Sequence, residues 1–339
     1  MFSDNWCTAL AGCGARSLSE HLPNFLRDMP RTTVLGLCDP DPRALLRAAS
    51  LFEGVGAPVP LMFSHEDELL SKLGARLDAL VIASPPSVHH RQVSAALRHD
   101  IDVLVEKPAV VTYAEGEDLL GRNVKRTRII VAFQGAGSPQ RAVVRDLLSA
   151  PGCVVSSLHG AIWQDWRRLH AHTWRQQAGE NNGGFIYDTG LHLLHSVIDL
   201  VGPMAQVSGR VPCDREGLQV RAALTGVSAS GVLVNLGLDG DGRRPAPRSE
   251  LRIFTNRGII ETDVWGEYAR AWTADGERLA LPGNGGSRVW QRFVEDRGKP
   301  DGNLCDLAAW LHVQEFYDAL MQSSRNGGCS VTVGARSRQ

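Results

Sequence analysis

From Trp6 to about Ala132, short apolar runs alternate with segments whose apolar residues recur at helical spacing. Residues 6–11, 33–38, 80–83, 103–105 and 129–132 read as buried strands, and stretches such as 41–52 and 89–98 read as helices laid on them. That rhythm predicts a doubly wound parallel sheet with crossover helices. After Pro151 the pattern changes. Residues 154–162, 207–211, 218–224, 231–238, 251–255 and 258–262 read as strands, with one convincing helix among them near 190–200. Asn256, Arg257 and Gly258 make a tight turn between two of the strands. The second half is therefore expected to be an α/β domain with a large, mostly antiparallel open sheet, closed by a terminal helix over about 304–321. Residues 280–286 are expected to be a loop and the chain to fray from 327 onward. The expected division is 1–133, 134–330 (its terminal helix free to pack back on the first domain) and a flexible tail over 331–339.

Bulk properties narrow the function. With 339 residues, 43% of them hydrophobic, the chain can build more than one core. Lys plus Arg (36) nearly cancels Asp plus Glu (37), which gives no general attraction to nucleic acid or to an anionic membrane and favours a small, roughly neutral partner. Seven scattered cysteines without a CxxC pair suit reduced thiols. The first residues lack the basic and apolar segments of a signal peptide, and no run reaches about 20 apolar residues. A cytoplasmic location is the expectation.

The first strand runs into Gly12-Cys13-Gly14-Ala15-Arg16-Ser17. In a dinucleotide-binding fold the first glycine permits a tight turn, the second admits a pyrophosphate, and a small third residue lets the next helix pack closely. A plain glycine turn is the alternative. The second strand ends at Asp39, where an acid that accepts from the adenosine 2′-hydroxyl and repels a 2′-phosphate would sit. NAD is thus expected rather than NADP, although Arg43 could reach a phosphate. Asp39 could instead cap the helix that follows it. Two further loops follow strand ends: Ser84-Pro85 with His89, and Glu106-Lys107-Pro108.

Further along come Tyr187-Asp188-Thr189-Gly190-Leu191-His192 and His195. The glycine turn, the Glu-Lys-Pro element and Asp188-x-Gly190-x-His192, in this order, resemble the Gfo/Idh/MocA family, the glucose-fructose oxidoreductase and inositol dehydrogenase group. The resemblance spans nearly the whole chain. It implies a Rossmann domain, a second domain whose open sheet is commonly buried between subunits of a homodimer or homotetramer, and hydride transfer between NAD(P) and a carbinol or ketone carbon of a sugar-like substrate. It places Gly12, Gly14, Ala15, Arg16, Ser17, Asp39, Ser84, Pro85, His89 and Glu106 at the cofactor. Lys107 falls between cofactor and substrate, His192 is the general acid/base, and Asp188 orients substrate or histidine.

These residue types suit the chemistry, since an imidazole titrates near neutral pH and an ammonium can stabilise a developing alkoxide. If residues 188–192 are helical, Asp188 and His192 share a face. Each also has a plainer reading: Lys107 as a solvated loop lysine, Asp188 as a helix cap, His192 as an interior histidine. Asp188, His192 and His195 have a spacing that could ligate zinc, but no metal is expected.

The chain departs from the family at His195, where relatives often carry a substrate-binding aspartate, and at Gln134-Gly135-Ala136-Gly137, where a roomier pocket is expected. Trp163, Trp174 and Arg175 are candidate substrate contacts, their aromatic faces suited to sugar rings, or else core or subunit contacts. Two other activities stay open on the same fold: a NAD-dependent glycoside hydrolase and a non-catalytic dinucleotide-binding regulator.

Overall fold

The computed structural model describes residues 5–27, 31–125, 127–177, 184–214, 217–243, 246–282, 289–296 and 304–334. The chain divides into two compact units, Met1–Ala132 with Trp290–Leu307, and Phe133–Val289 with Ala308–Gln339.

The first unit is built on β1 (Trp6–Ala11), α1 (Leu22–Arg27), β2 (Thr32–Cys38), α2 (Pro42–Gly54), β3 (Leu61–Phe63), α3 (Glu66–Leu73), β4 (Ala79–Ile82), α4 (His89–Arg98), β5 (Asp102–Glu106), α5 (Tyr113–Arg122) and β6 (Ile129–Ala132). Its sheet has the order β3-β2-β1-β4-β5-β6, all parallel. The strand order reverses between β1 and β4, which is where such sheets bind ligands. Local chemistry explains the helix starts. Asp41 caps α2 by accepting from the Arg43 amide, with Pro42 in the first turn, and Thr112 and Glu115 form a reciprocal capping box on α5.

The second unit contains α6 (Pro139–Ser149), β7 (Val155–Trp163), α7 (Trp166–Leu169), α8 (Leu191–Val201), β8 (Met204–Arg210), β9 (Arg221–Ser228), β10 (Leu233–Asp239), β11 (Arg248–Thr255), β12 (Gly258–Thr262) and β13 (Ala269–Thr273). The chain then returns to the first unit through α9 (Val289–Glu295) and β14 (Cys305–Asp306), which pairs antiparallel with β6. It ends with α10 (Leu307–Arg325) and β15 (Val331–Thr332).

The eight-stranded sheet runs β13-β12-β11-β7-β10-β9-β8-β15 and is antiparallel except for the β7·β10 pair. Burial alternates along β9 and β10, so one face is covered and the other open. Leu193 of α8 meets Gly160 of β7, and Leu320 of α10 meets Gly209 of β8.

Three expectations are corrected here. Residues 327–334, expected to be frayed, are ordered by pairing: Val331 and Thr332 pair with Val207 and Gln206, and the Gly328 amide donates to the Ser323 carbonyl; residues 335–339 of the expected tail lie outside the described residues. The terminal helix begins at Leu307 because residues 305–306 are spent as a strand. The segment Trp290–Leu307 belongs to the first unit, where Trp290 packs on Phe25 and donates from its indole N–H to Thr32. The expected loop at 280–286 lies partly outside the described residues.

Candidate active site

In the first unit the cofactor candidates collect at the carboxyl ends of β1, β2, β4 and β5. Gly12 has φ +92°, and a Cβ there would lie 2.4 Å from the Ser84 amide nitrogen, so the glycine is required by both conformation and crowding. Gly14 and Ala15 are exposed, and a Cβ on Gly14 would meet nothing within 4 Å. That open backbone is a cradle of the kind a pyrophosphate fills. Ser17 is buried and donates back to the Gly12 carbonyl at 2.5 Å, closing the turn.

Asp39 is not the cap of α2, which is Asp41. Its two carboxylate oxygens accept from the Cys13 amide (2.7 Å) and the Asp41 amide (2.9 Å), which ties the end of β2 to the glycine turn. A carboxylate offers about four acceptor sites, so ribose hydroxyls can still be bound.

Glu106 is buried at the end of β5 and accepts from Arg16 Nε at 2.9 Å, with His21 Nε2 at 3.1 Å. Burial would raise its pKa, but Arg16 and His21 outweigh it and hold the carboxyl well below the usual range. Arg16 is thereby tied to the end of β5. Lys107 is half-buried beside Glu106, and the Lys107–Pro108 peptide is cis. Ser84 is half-buried and donates to Gln92; Pro85 is exposed. His89, expected at the cofactor, is completely buried. Its ring nitrogens face the carbonyls of Ser84 (2.8 Å) and Pro108 (2.9 Å), so it joins two loops.

In the second unit, residues 184–190 form a succession of turns. Gly184 has φ +74°, and Gly190 is needed because a Cβ would press on the Ile186 carbonyl at 2.5 Å and on Leu238. Asp188 therefore precedes α8 and does not share its face with His192. Its Oδ2 accepts from the buried Trp166 indole at 2.8 Å and pairs with Arg175 Nε at 3.2 Å. Trp163, half-buried, ends β7; the Trp174 side chain lies outside the described residues.

His192 is buried in the first turn of α8. Its ring meets Phe133 edge-on at 5.5 Å and Trp265 at 6.1 Å. His195 stacks on Phe133 at 4.0 Å and 7°. Burial, against the pull of Asp199, pushes its pKa down to about 4, so it is neutral near pH 7.

Beneath these rings lies a buried charge network. Arg141 donates to Asp199 (3.2 Å), Ser196 (3.1 Å) and the Asp263 carbonyl (2.8 Å), Arg145 donates to the other Asp199 oxygen (2.7 Å), and Ser196 donates to the His192 carbonyl (2.8 Å). Gln134 is half-buried in a short turn. The small residues after it do not enlarge a pocket: a Cβ on Gly135 would lie 2.0 Å from the Val264 carbonyl, so that space belongs to the turn carrying Trp265.

Among the described residues no group of three His, Cys, Asp or Glu side chains could hold a metal ion. Sequence reasoning missed His21, Trp265 and the Arg141–Asp199 pair. Only the Arg141/Arg145 spacing on α6 offered a signal, a weak one, because the partners lie 55 or more positions away along the chain.

The chain thus joins a doubly wound sheet with a glycine turn at its switch point to an antiparallel α/β unit bearing an imidazole at a helix start. Residues 8–133 match the model of the GFO_IDH_MocA oxidoreductase family, described by its NAD-binding Rossmann fold. Over 219 residues it is 28% identical to an uncharacterised oxidoreductase of Schizosaccharomyces pombe, an alignment covering 62% of this chain and 55% of that one. The chain thus spans about half the length of that relative. It is 26% identical over 257 residues, 74% of each chain, to the dTDP-3,4-didehydro-2,6-dideoxy-alpha-D-glucose 3-reductase of Streptomyces antibioticus. The WlbA dehydrogenase of Bordetella pertussis, solved with NADH and UDP-GlcNAcA, superposes with a TM-score of 0.78 over 98% of this chain and 100% of its own; at 17% identity the likeness is one of fold. No helix among the described residues is long and apolar enough to cross a membrane.

Proposed function

We propose that this chain is an NAD-dependent dehydrogenase or reductase of a secondary alcohol or ketone carbon in a sugar, cyclitol or sugar-containing metabolite, with Lys107, Asp188 and His192 as its reacting group. The observation that carries the reading is the cradle at Gly12–Ser17, with Asp39 at the next strand end and Lys107 on the loop after β5. The sugar in the name of the Streptomyces reductase and the UDP-GlcNAcA in the WlbA complex support the substrate class.

When bound, NAD supplies the hydride-accepting ring. The chain's own residues do the rest. Main-chain amides of the glycine turn bind the pyrophosphate, and Asp39 accepts from a ribose hydroxyl. The Lys107 ammonium stabilises oxygen as it becomes alkoxide, and a ring nitrogen of His192 takes the hydroxyl proton. Phe133 and Trp265 exclude water from one side of that imidazole. Asp188 steadies Arg175, which grips polar substituents of the substrate. We further infer that the open face of the eight-stranded sheet meets a second copy of the chain, with light scattering as its check.

The test follows NADH absorbance over a panel of free sugars, cyclitols, aminosugars, glycosides and sugar nucleotides. Lys107→Ala and His192→Ala should each lose roughly 100-fold or more in turnover while still binding NADH. Near-normal rates in both folded variants would remove the assignment.

A further inference from the structure

The completely buried His89 begins α4, yet both of its ring nitrogens point at carbonyls outside that helix. Nε2 lies 2.8 Å from the Ser84 oxygen and Nδ1 lies 2.9 Å from the Pro108 oxygen. Those carbonyls belong to the two loops after β4 and β5. The first supplies the Ser84 amide that packs against Gly12 of the glycine turn; the second carries Glu106 and Lys107. One imidazole therefore spans the pieces that must keep a fixed spacing if a dinucleotide is to reach from the cradle to Lys107.

Both partners are acceptors. An imidazolium donates to both, whereas a neutral ring donates to one and turns a lone pair toward the other. Burial, opposed by the two carbonyls and by the Glu106 carboxylate, lowers the pKa of the ring. A spacer of this kind is short, sealed from water and sensitive to loop separation.

We propose that His89 is a positioning residue for the dinucleotide site, holding the Ser84 and Pro108 loops at the separation that NADH binding requires. The inference rests on the NAD reading above and adds a residue that touches no ligand.

The experiment is a fluorescence titration with NADH of the full-length wild type, His89→Phe and His89→Leu, with the melting temperature of each. Val93→Ala serves as a control, because it removes buried methyls from α4 without touching either carbonyl. His89→Phe keeps a ring and loses both ring nitrogens, and with them the hydrogen bond to a loop carbonyl. It should raise the NADH dissociation constant about tenfold or more, about what one net hydrogen bond contributes. Val93→Ala should lower the melting temperature and leave the constant within about twofold. If the phenylalanine variant does not fold, the leucine variant decides on the same criterion. NADH affinity within about twofold of wild type in a folded His89 variant overturns the proposal. A wild type that does not bind NADH overturns the NAD reading itself, a result that arm reports separately.

Discussion

Asp39 does two jobs with one carboxylate. Each oxygen already holds a main-chain amide, from Cys13 and from Asp41, so the side chain shapes the turn before any ribose arrives. Asp39→Ala should therefore lower catalytic efficiency with NAD by about tenfold or more and narrow its advantage over NADP, which paired kinetics with the two cofactors would measure. An unchanged preference would free Asp39 from cofactor selection.

His195 makes a prediction of a different kind. Its folded pKa of about 4 lies below the ordinary 6.5, so the unfolded chain binds the extra proton. The stability involved is fully present above about pH 6.5 and is lost as pH falls toward 4, by about 3 kcal/mol. His89 and Glu106 are also lowered, and they add to the loss in the same direction. Urea unfolding from pH 7.5 to 4.5 should show this slope, and His195→Phe should flatten it. Equal slopes in the two proteins would contradict the buried, neutral ring.

At the scale of elements, α6, α8 and the turn between β12 and β13 are held together by one anionic group. Asp199 on α8 receives both Arg141 and Arg145 of α6, and Arg141 reaches the carbonyl of Asp263 beside Trp265. Removing the charge takes away the carboxylate that both guanidinium groups share, one of them fully buried. Asp199→Asn should cost about 3–5 kcal/mol in denaturant unfolding. A loss under about 1 kcal/mol would mean water already screens the site.

Legibility is uneven at this scale. The apolar repeat of α8 was readable and falls within a residue of its observed bounds. The expected face shared by Asp188 and His192 was not, since Gly184 and Gly190 bend the chain before the helix starts and deliver Asp188 to Trp166 and Arg175.

Across the whole molecule, the first unit is completed from far down the chain. Trp290 packs edge-on against Phe25 at 4.7 Å, Phe293 packs against Trp6 at 5.6 Å, and Arg128 lies over the Phe293 ring at 4.6 Å. Trp290→Ala should destabilise this unit by about 3–5 kcal/mol, measured by urea unfolding. A fragment ending at Ala132 should lack a cooperative transition. Cooperative unfolding of that fragment with full NADH affinity would show that the returning segment is dispensable.

No periodicity could have announced that return. Local pattern reports which face of an element is apolar, not which distant segment covers it.

Alternation of apolar and polar positions and the glycine turn after the first strand are set by neighbours a few residues apart, which is why most strands, the helix α8 and the dinucleotide cradle could be read from the chain alone; the caps at Asp41 and Thr112 emerged only with the structure. The partners of Asp188, the sealing of His89, the low pKa of His195 and the placement of Trp265 beside His192 depend on backbone brought together from distant positions. Burial and pairing are properties of that assembled surround, and no short stretch of residues contains them.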